Sequence, residues 1–410
     1  MKKLTIFCIA VMLYSCSGNK AKITDWRGEQ GSGIFDEKDL LKEWPAKGPE
    51  EVFYVEGIGN GYGSPAVTDE FIYVTGEVDS MAVLFCFDKN GNTSWKTVLS
   101  NEFTSYYPGS RSTPTLADDL VYTCTGTGNL FCVNALNGKI IWEKHAVNDY
   151  NALIPYFGHA ESILLEGDKL YWVAGGPEKN IVALDRFTGD LVWSQKALGE
   201  RSAYNSPRLI HLPGRKLVVT FTAYNLVGVD AETGELLWSH EQTNYLPSGR
   251  EYGKGDTHSN SVIYDDALYY IAGDGNGGVK LEISDDGTEI NEVWRNPEID
   301  GFMGGVIKIG KVIYTCGTQK KDLKAINSDT GEILGTLKIG SGALIAADQM
   351  LYYYNQKGEL MLISYDGGIL KVISSFKVKK GTKEHFAHPV IHDGILYQRH
   401  GNAMMGYKVG

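Results

Sequence analysis

The stretch ALDRFTGDLVWS, Ala183 to Ser194, sets an acidic residue, a Thr-Gly turn and a Trp in a fixed order, and that order returns along the whole chain. CFDKNGNTSW ends at Trp95, VNALNGKIIW at Trp142, LDRFTGDLVW at Trp193 and VDAETGELLW at Trp238, and a longer variant ends at Trp294. Two further copies have lost the Trp: INSDTGEILG ends at Gly335 and ISYDGGILKV near Val372. A period of about 40 to 55 residues has room for four short strands and their turns, the content of one propeller blade.

The strands of each copy can be placed. Runs such as FIYVTG, LVYTCTG, KLYWVAGG, ALYYIAG and KVIYTCG precede the motif, rich in β-branched and aromatic residues and closed by Gly, as a strand entering a turn requires. Ahead of these lie segments beginning SPAV, TPTL, SILL, SPRL, SVIY, GVIK, ALIA and HPVI, eight copies of a first strand. The Asp or Asn of the motif can accept hydrogen bonds from the backbone of the turn after the third strand, and Gly takes the left-handed position there. The tryptophans Trp95, Trp142, Trp193, Trp238 and Trp294 then fall on outer strands, where each can wedge between neighbouring sheets and bury apolar surface that one blade cannot bury alone.

Seven complete motifs follow eight first strands. The missing outer strand is assigned to EVFYVEG, Glu51 to Gly57, with Phe53 or Tyr54 in place of the Trp. Joining the first and last segments in one blade closes the ring and removes its free edges. The fold expected is all-β: an eight-bladed propeller of four-stranded antiparallel blades over residues 50–410, closed by an N-terminal strand, with no second domain.

Lys2 and Lys3 followed by the apolar run Leu4 to Leu13 form an export signal too short to span a bilayer. LYSC, Leu13 to Cys16, resembles a lipobox. It gives residues 1–15 as a lipoprotein signal peptide, Cys16 as the lipidated first residue of the mature chain, and 16–49 as a tether and entry segment. Tyr14 is bulkier than the residue usual at its position, and an ordinary secretory signal is the alternative. Cys86, Cys124, Cys132 and Cys316 remain after processing. Export permits a disulfide, but the first and third share one repeat position and the second and fourth another, a placement that suits free thiols buried in strands. A formal charge of -11 without a basic run argues against nucleic acid as a partner.

The repeat resembles that of the pyrroloquinoline-quinone (PQQ)-like propeller family, part of the quinoprotein alcohol dehydrogenase-like superfamily, over essentially the whole mature chain. DWRGEQGSG and the following LLKEWPAKGPEEVFYVEG also look like the entry segment of exported members, with Trp26, Arg27, Gly28, Trp44 and Pro45 matching. The family contains quinoprotein dehydrogenases. It also contains non-enzymatic lipoproteins, of which the propeller lipoprotein of the outer-membrane barrel-assembly machinery is nearest in type. The dehydrogenase branch implies a Ca²⁺ held by oxygen ligands, a carboxylate base and an adjacent cysteine pair beside the quinone. This chain has no Cys-Cys pair and no position on which the catalytic Asp can be placed, so no cofactor is expected and PQQ with Ca²⁺ is disfavoured.

Turns after first and third strands (TDE, ADD, EGDK; KNG, LNG, RFTG) are tight, whereas the links from blade to blade are long and rich in Tyr, His, Arg and Asn. Long loops on a rigid scaffold are where binding concentrates. Counting back from the second strand places Ser64, Thr113, Ser162, Ser206, Ser261, Gly305, Ala343 and His388 around the central axis. His159, His258 and His385 stand three residues earlier, toward the loop-rich face, with Arg111, Glu161, Tyr204 and Asn205 between these levels. These side chains are expected to converge on the mouth of the channel and bind a ligand or partner. The alternative is a polar plug satisfied by mutual hydrogen bonds and water. The three His sit on blades too far apart to ligate one metal ion, and no metal site is assigned. The function expected is a membrane-anchored binding or assembly scaffold, a monomeric propeller presenting its loop-rich face to an envelope protein or glycan in the periplasm or at the outer membrane. The alternative is an enzyme working at the mouth, either quinone-dependent or carbohydrate-active.

Overall fold

Each repeat folds into an antiparallel meander because its second and third strands are apolar on both faces while the outer strand alternates. In the third blade Lys169–Val173 and Ile181–Asp185 are buried almost throughout, whereas Leu191–Gln195 buries chiefly its central Trp193. A computed structural model describes residues 23–242 and 261–410. They form eight such sheets of four strands, one of them extended by a fifth. Glu51–Glu56 pairs with Ala403–Lys408 and completes the eighth blade, so the ring is closed by the N-terminal strand as its sequence suggests. Phe53 is the buried residue there and Tyr54 is exposed, which settles which of them replaces the Trp.

The recurring motif is an interlock between neighbours. Asp185 accepts the N–H groups of Phe187 and Thr188, both at 2.9 Å, and Asp230 does the same for Glu232 and Thr233. The indole N–H of Trp95 donates to the carbonyl of Ala135, Trp142 to Arg186, Trp193 to Ala231 and Trp294 to Ser328, always in the third turn of the following blade. The Gly of that turn is the seat of the ring. A Cβ on Gly138, Gly189, Gly234 or Gly331 would come within 3 Å of the preceding blade's indole. Trp238 is buried but makes no such hydrogen bond among the described residues. A register shift in every outer strand accompanies the wedge position, as a bulge that re-aims a side chain does. Cys86, Cys124, Cys132 and Cys316 are free and buried.

The entry segment does more than lead to the ring. Thr24 bridges to Leu116 on the innermost strand of the second blade, next to a tight turn, and the chain then runs up the channel. It turns back through Gly28, Gly31 and Gly33, all at positive φ, and descends as Ile34–Phe35 parallel to Ala346 and Ala347 of the seventh blade. It leaves on the tight-turn face, where Glu37 accepts the N–H groups of Asp393 and Gly394 and Asp348 accepts that of Leu40. Trp44 packs against Tyr352 and Phe376 before the chain reaches its outer strand. Residues 24–35 are therefore threaded into the ring, and 36–49 run across its tight-turn face to the outer strand.

Candidate functional site: the channel and its loop-rich mouth

The positions counted onto the axis form a belt of blade-to-blade hydrogen bonds. The N–H of Ser64 donates to Thr113 Oγ1 at 2.9 Å, that of Thr113 to Ser162 Oγ at 3.1 Å, and that of Ser162 to Ser206 Oγ at 2.9 Å. Ser64 Oγ donates to the carbonyl of His388, and the N–H of Val306 to Ser261 Oγ, each at 2.9 Å. Small hydroxyl residues recur there because backbone at the crowded centre has no strand partner and needs one from the next blade.

Trp26 stands at the top of the entry segment and divides the channel. Its ring meets His388 edge-on at 5.3 Å, and the guanidinium carbons of Arg27 and Arg208 lie 5.6 and 5.8 Å from its centroid. Arg27 is buried and donates to the carbonyls of Val306 and Leu344. Arg208 pairs with Asp25 at 3.3 Å. Gly31 leaves room for Arg208, and Gly33 and Gly305 for Arg27, since a Cβ at any of them would strike the guanidinium. Burial and the neighbouring Arg208 push Arg27 down to about 9, and burial also lowers Arg208. Below Trp26, toward the tight turns, lies a cavity of about 640 Å³, and above it, toward the long links, one of about 370 Å³.

The upper cavity is the mouth. Its wall is a circuit of rings from different links: Tyr62 to Phe386 at 5.3 Å, Phe386 to Tyr107 at 5.8 Å, Tyr107 to Phe157 at 6.1 Å and Phe157 to Tyr204 at 5.8 Å. Phe302 and Met303 complete the lining and Trp26 forms the floor. On the rim Tyr106 stacks on Tyr156 at 4.5 Å, and both are about half exposed, as is Tyr107, at 45%, 50% and 48% respectively. This aromatic circuit was legible in the sequence only as Tyr-rich links. No repeat position announces Phe157, Phe302 or Phe386.

Of the residues assigned to the mouth, Arg111, Tyr204, Asn205 and His388 line it. Arg111 does not offer a free cation. Its guanidinium donates to the carbonyls of Gly109, Tyr106 and Tyr107 and lies 5.0 Å over Phe103, so it shapes the link that carries two rim tyrosines. Asn205 bonds Thr220 Oγ1 at 3.2 Å and accepts the N–H of Phe221 at 3.3 Å. His388 Nε2 lies 2.7 Å from the carbonyl of Met303, and burial with the nearby Arg27 pushes it down to about 3.

His159, Glu161 and His385 are not brought to the mouth. His159 is buried against Gly128, and burial lowers it to about 4. Both carboxylate oxygens of Glu161 lie 3.1 Å from the N–H of Val173, and burial inside the blade raises it well above the usual carboxylate range. His385 stacks on His400 at 3.7 Å and hydrogen-bonds Tyr354. An offset of three residues from the axis carries His159 and His385 into the links, whereas Glu161, one residue before Ser162, is turned toward Val173 of its own blade. His258 and Cys16 lie outside the described residues.

The described residues of the mouth do not fit a quinone with its divalent cation. The nearby carboxylates among the described residues are spent on the fold: Glu102 accepts the N–H groups of Phe103 and Gly126 and the hydroxyl of Ser110, Glu161 serves Val173, and Glu384 accepts the hydroxyl of Tyr62 at 2.8 Å. The Asn205 amide is likewise engaged. Among the described residues no cluster of oxygen donors converges over the Trp26 floor to hold a hard cation.

Four-stranded blades, a ring sealed by the N-terminal strand and an indole-on-glycine interlock define a propeller built from PQQ-type repeats. The chain belongs to the family described as outer membrane protein assembly factor BamB, whose model matches residues 80–337. No curated protein sequence matches the chain. Its fold is that of BamB from Moraxella catarrhalis, with a TM-score of 0.62 and 14% identity over 88% of this chain and 97% of that one. The computationally designed Ika8 protein is similar at 0.59 and 12%, over 88% and 100%. Sqt1 from Saccharomyces cerevisiae is similar at 0.58 and 11%, over 88% and 99%. One architecture shared by such different proteins leaves function to the site.

Proposed function

We propose that the protein is an exported, lipid-anchored, monomeric scaffold of the cell envelope, in the periplasm or at the outer membrane, whose loop-rich mouth binds an envelope protein or glycan. The observation that carries this reading is the mouth itself, a basin of about 370 Å³ walled by rings from several links and rimmed by exposed tyrosines. Rings on a rigid frame give contact area at little cost in side-chain entropy, and a few fixed polar groups orient what lies on them. The family's description as an assembly factor supports a binding role. The enzymatic alternative gains no support from the mouth, where Asn205 is held by the blade and His388 is neutral.

The test is thermal-shift screening of the purified protein against a glycan panel and soluble envelope proteins, since a ligand specific to the native state raises the melting temperature. Any hit is then repeated on Tyr107→Ala and Phe386→Ala. Loss of the shift with the unliganded melting temperature kept supports the mouth. An undiminished shift in both variants refutes it.

A further inference from the structure

The path of the entry segment fixes which face of the ring is nearest the lipid. We infer that the propeller stands over its membrane on the tight-turn face, with the aromatic mouth opening away from the bilayer, so that whatever fills the mouth arrives from the aqueous compartment. This rests on lipidation of Cys16.

Thr24 meets Leu116 two residues before the turn at Asp118, at the tight-turn end of the channel, and Ile23, Thr24, Asp69, Asp118, Glu166 and His392 line the same lower cavity. Eight residues lead from Cys16 to Thr24, at most about 29 Å fully extended. The chain cannot reach the loop-rich face through the ring, because Trp26 and the buried Arg27 fill the axis above it. Passing outside means crossing a blade about 20 Å broad and then climbing strands about 20 Å long, a path of about 40 Å. The tether is too short for that. Charge sets no orientation of its own: on the tight-turn face Asp69, Asp118 and Asp168 are interspersed with Lys89, Lys139, Arg215 and Lys311, so the length of the tether sets the geometry.

The full mature lipoprotein in vesicles of phosphatidylethanolamine and phosphatidylglycerol carrying a headgroup acceptor dye provides the test. A donor is attached through Asp168→Cys, in the first turn of the third blade, or through Glu178→Cys, in the second turn of the same blade on the opposite face. Both positions are exposed, and the four cysteines within the ring are buried from the reagent. Energy transfer to lipid should be several-fold greater from Asp168→Cys, should not change with salt, and should lose its asymmetry when twenty Gly/Ser residues are inserted ahead of Ile23. Equal or reversed transfer in a protein that floats with vesicles only when Cys16 is intact overturns the orientation and leaves the anchor standing. Flotation of Cys16→Ala overturns the anchor itself, and the orientation with it.

Discussion

At its waist the channel is filled by the chain itself, which threads Trp26, Arg27 and the glycines at 28, 31 and 33 between the innermost strands; toward the long links the described residues leave an aromatic basin. The filled waist is made of repeat positions and a segment matched to them, with hydroxyls answering backbone N–H groups and glycines cut to the shape of guanidiniums. The open end is made of links that share no pattern. Substitutions at the first should therefore cost stability, and substitutions at the second should cost binding.

The most drastic way to break this contrast is to remove the strand that closes the ring. Deleting Glu51 to Gly57 leaves Ala403–Lys408 as an open edge and exposes the surface that Phe53 covers, and the product is expected to aggregate. A monomeric deletion variant with the parent melting temperature in size-exclusion and scanning experiments would remove closure from the account. Next in size are the wedges. Trp193→Ala should cost about 3–5 kcal/mol in denaturant unfolding. Trp238→Ala should cost about 1 kcal/mol less, since its indole N–H has no partner to leave unsatisfied among the described residues.

A smaller effect sharpens the comparison through pH. His388 is held near 3 and His159 near 4, below the value of about 6.5 in the unfolded chain, so the unfolded state takes up these protons first as pH falls. Each therefore destabilises the native state as pH drops from about 6.5 toward 4, by roughly 1.4 kcal/mol per pH unit. Glu161, raised by burial, acts in the opposite sense, so the slope is read as a difference between proteins. His388→Gln should flatten the stability profile between pH 4 and 6 by about that amount. An unchanged profile would mean that His388 titrates normally. The same values leave these histidines neutral from pH 5 to 8, so ligand binding at the mouth should not follow their titration across that range.

The smallest expected effect on stability is at the rim. Tyr107→Ala should change the unfolding free energy by less than about 0.5 kcal/mol while removing partner binding, because the ring is half exposed. A large loss of stability there would show that the mouth is part of the scaffold after all.

The periodic part of the molecule was open to reading because each blade solves the same problem with the same residues. Asp or Asn at the turn, Gly beside it and Trp four residues on name the meander, its hinge and its wedge, and eight first strands against seven motifs name the closing strand. Even there one role was hidden: the turn Gly is also the seat for the neighbouring indole, a relation between blades that no single repeat displays. Counting along strands also placed the axial belt from Ser64 to His388, because strand geometry is regular. The same count carried into the links put His159 and His385 at the mouth, which they do not line, since a link obeys no period and a three-residue step along it does not preserve direction; Glu161, next to the axial Ser162, is turned toward Val173 instead. That Phe386 meets Tyr62 and that Trp26 floors the mouth beside His388 follow from segments hundreds of residues apart closing on one axis. Local sequence sets the blades through hydrogen-bonding and burial preferences that each repeat carries by itself, but the site is a product of ring closure, and only the folded ring decides which side chains face one another.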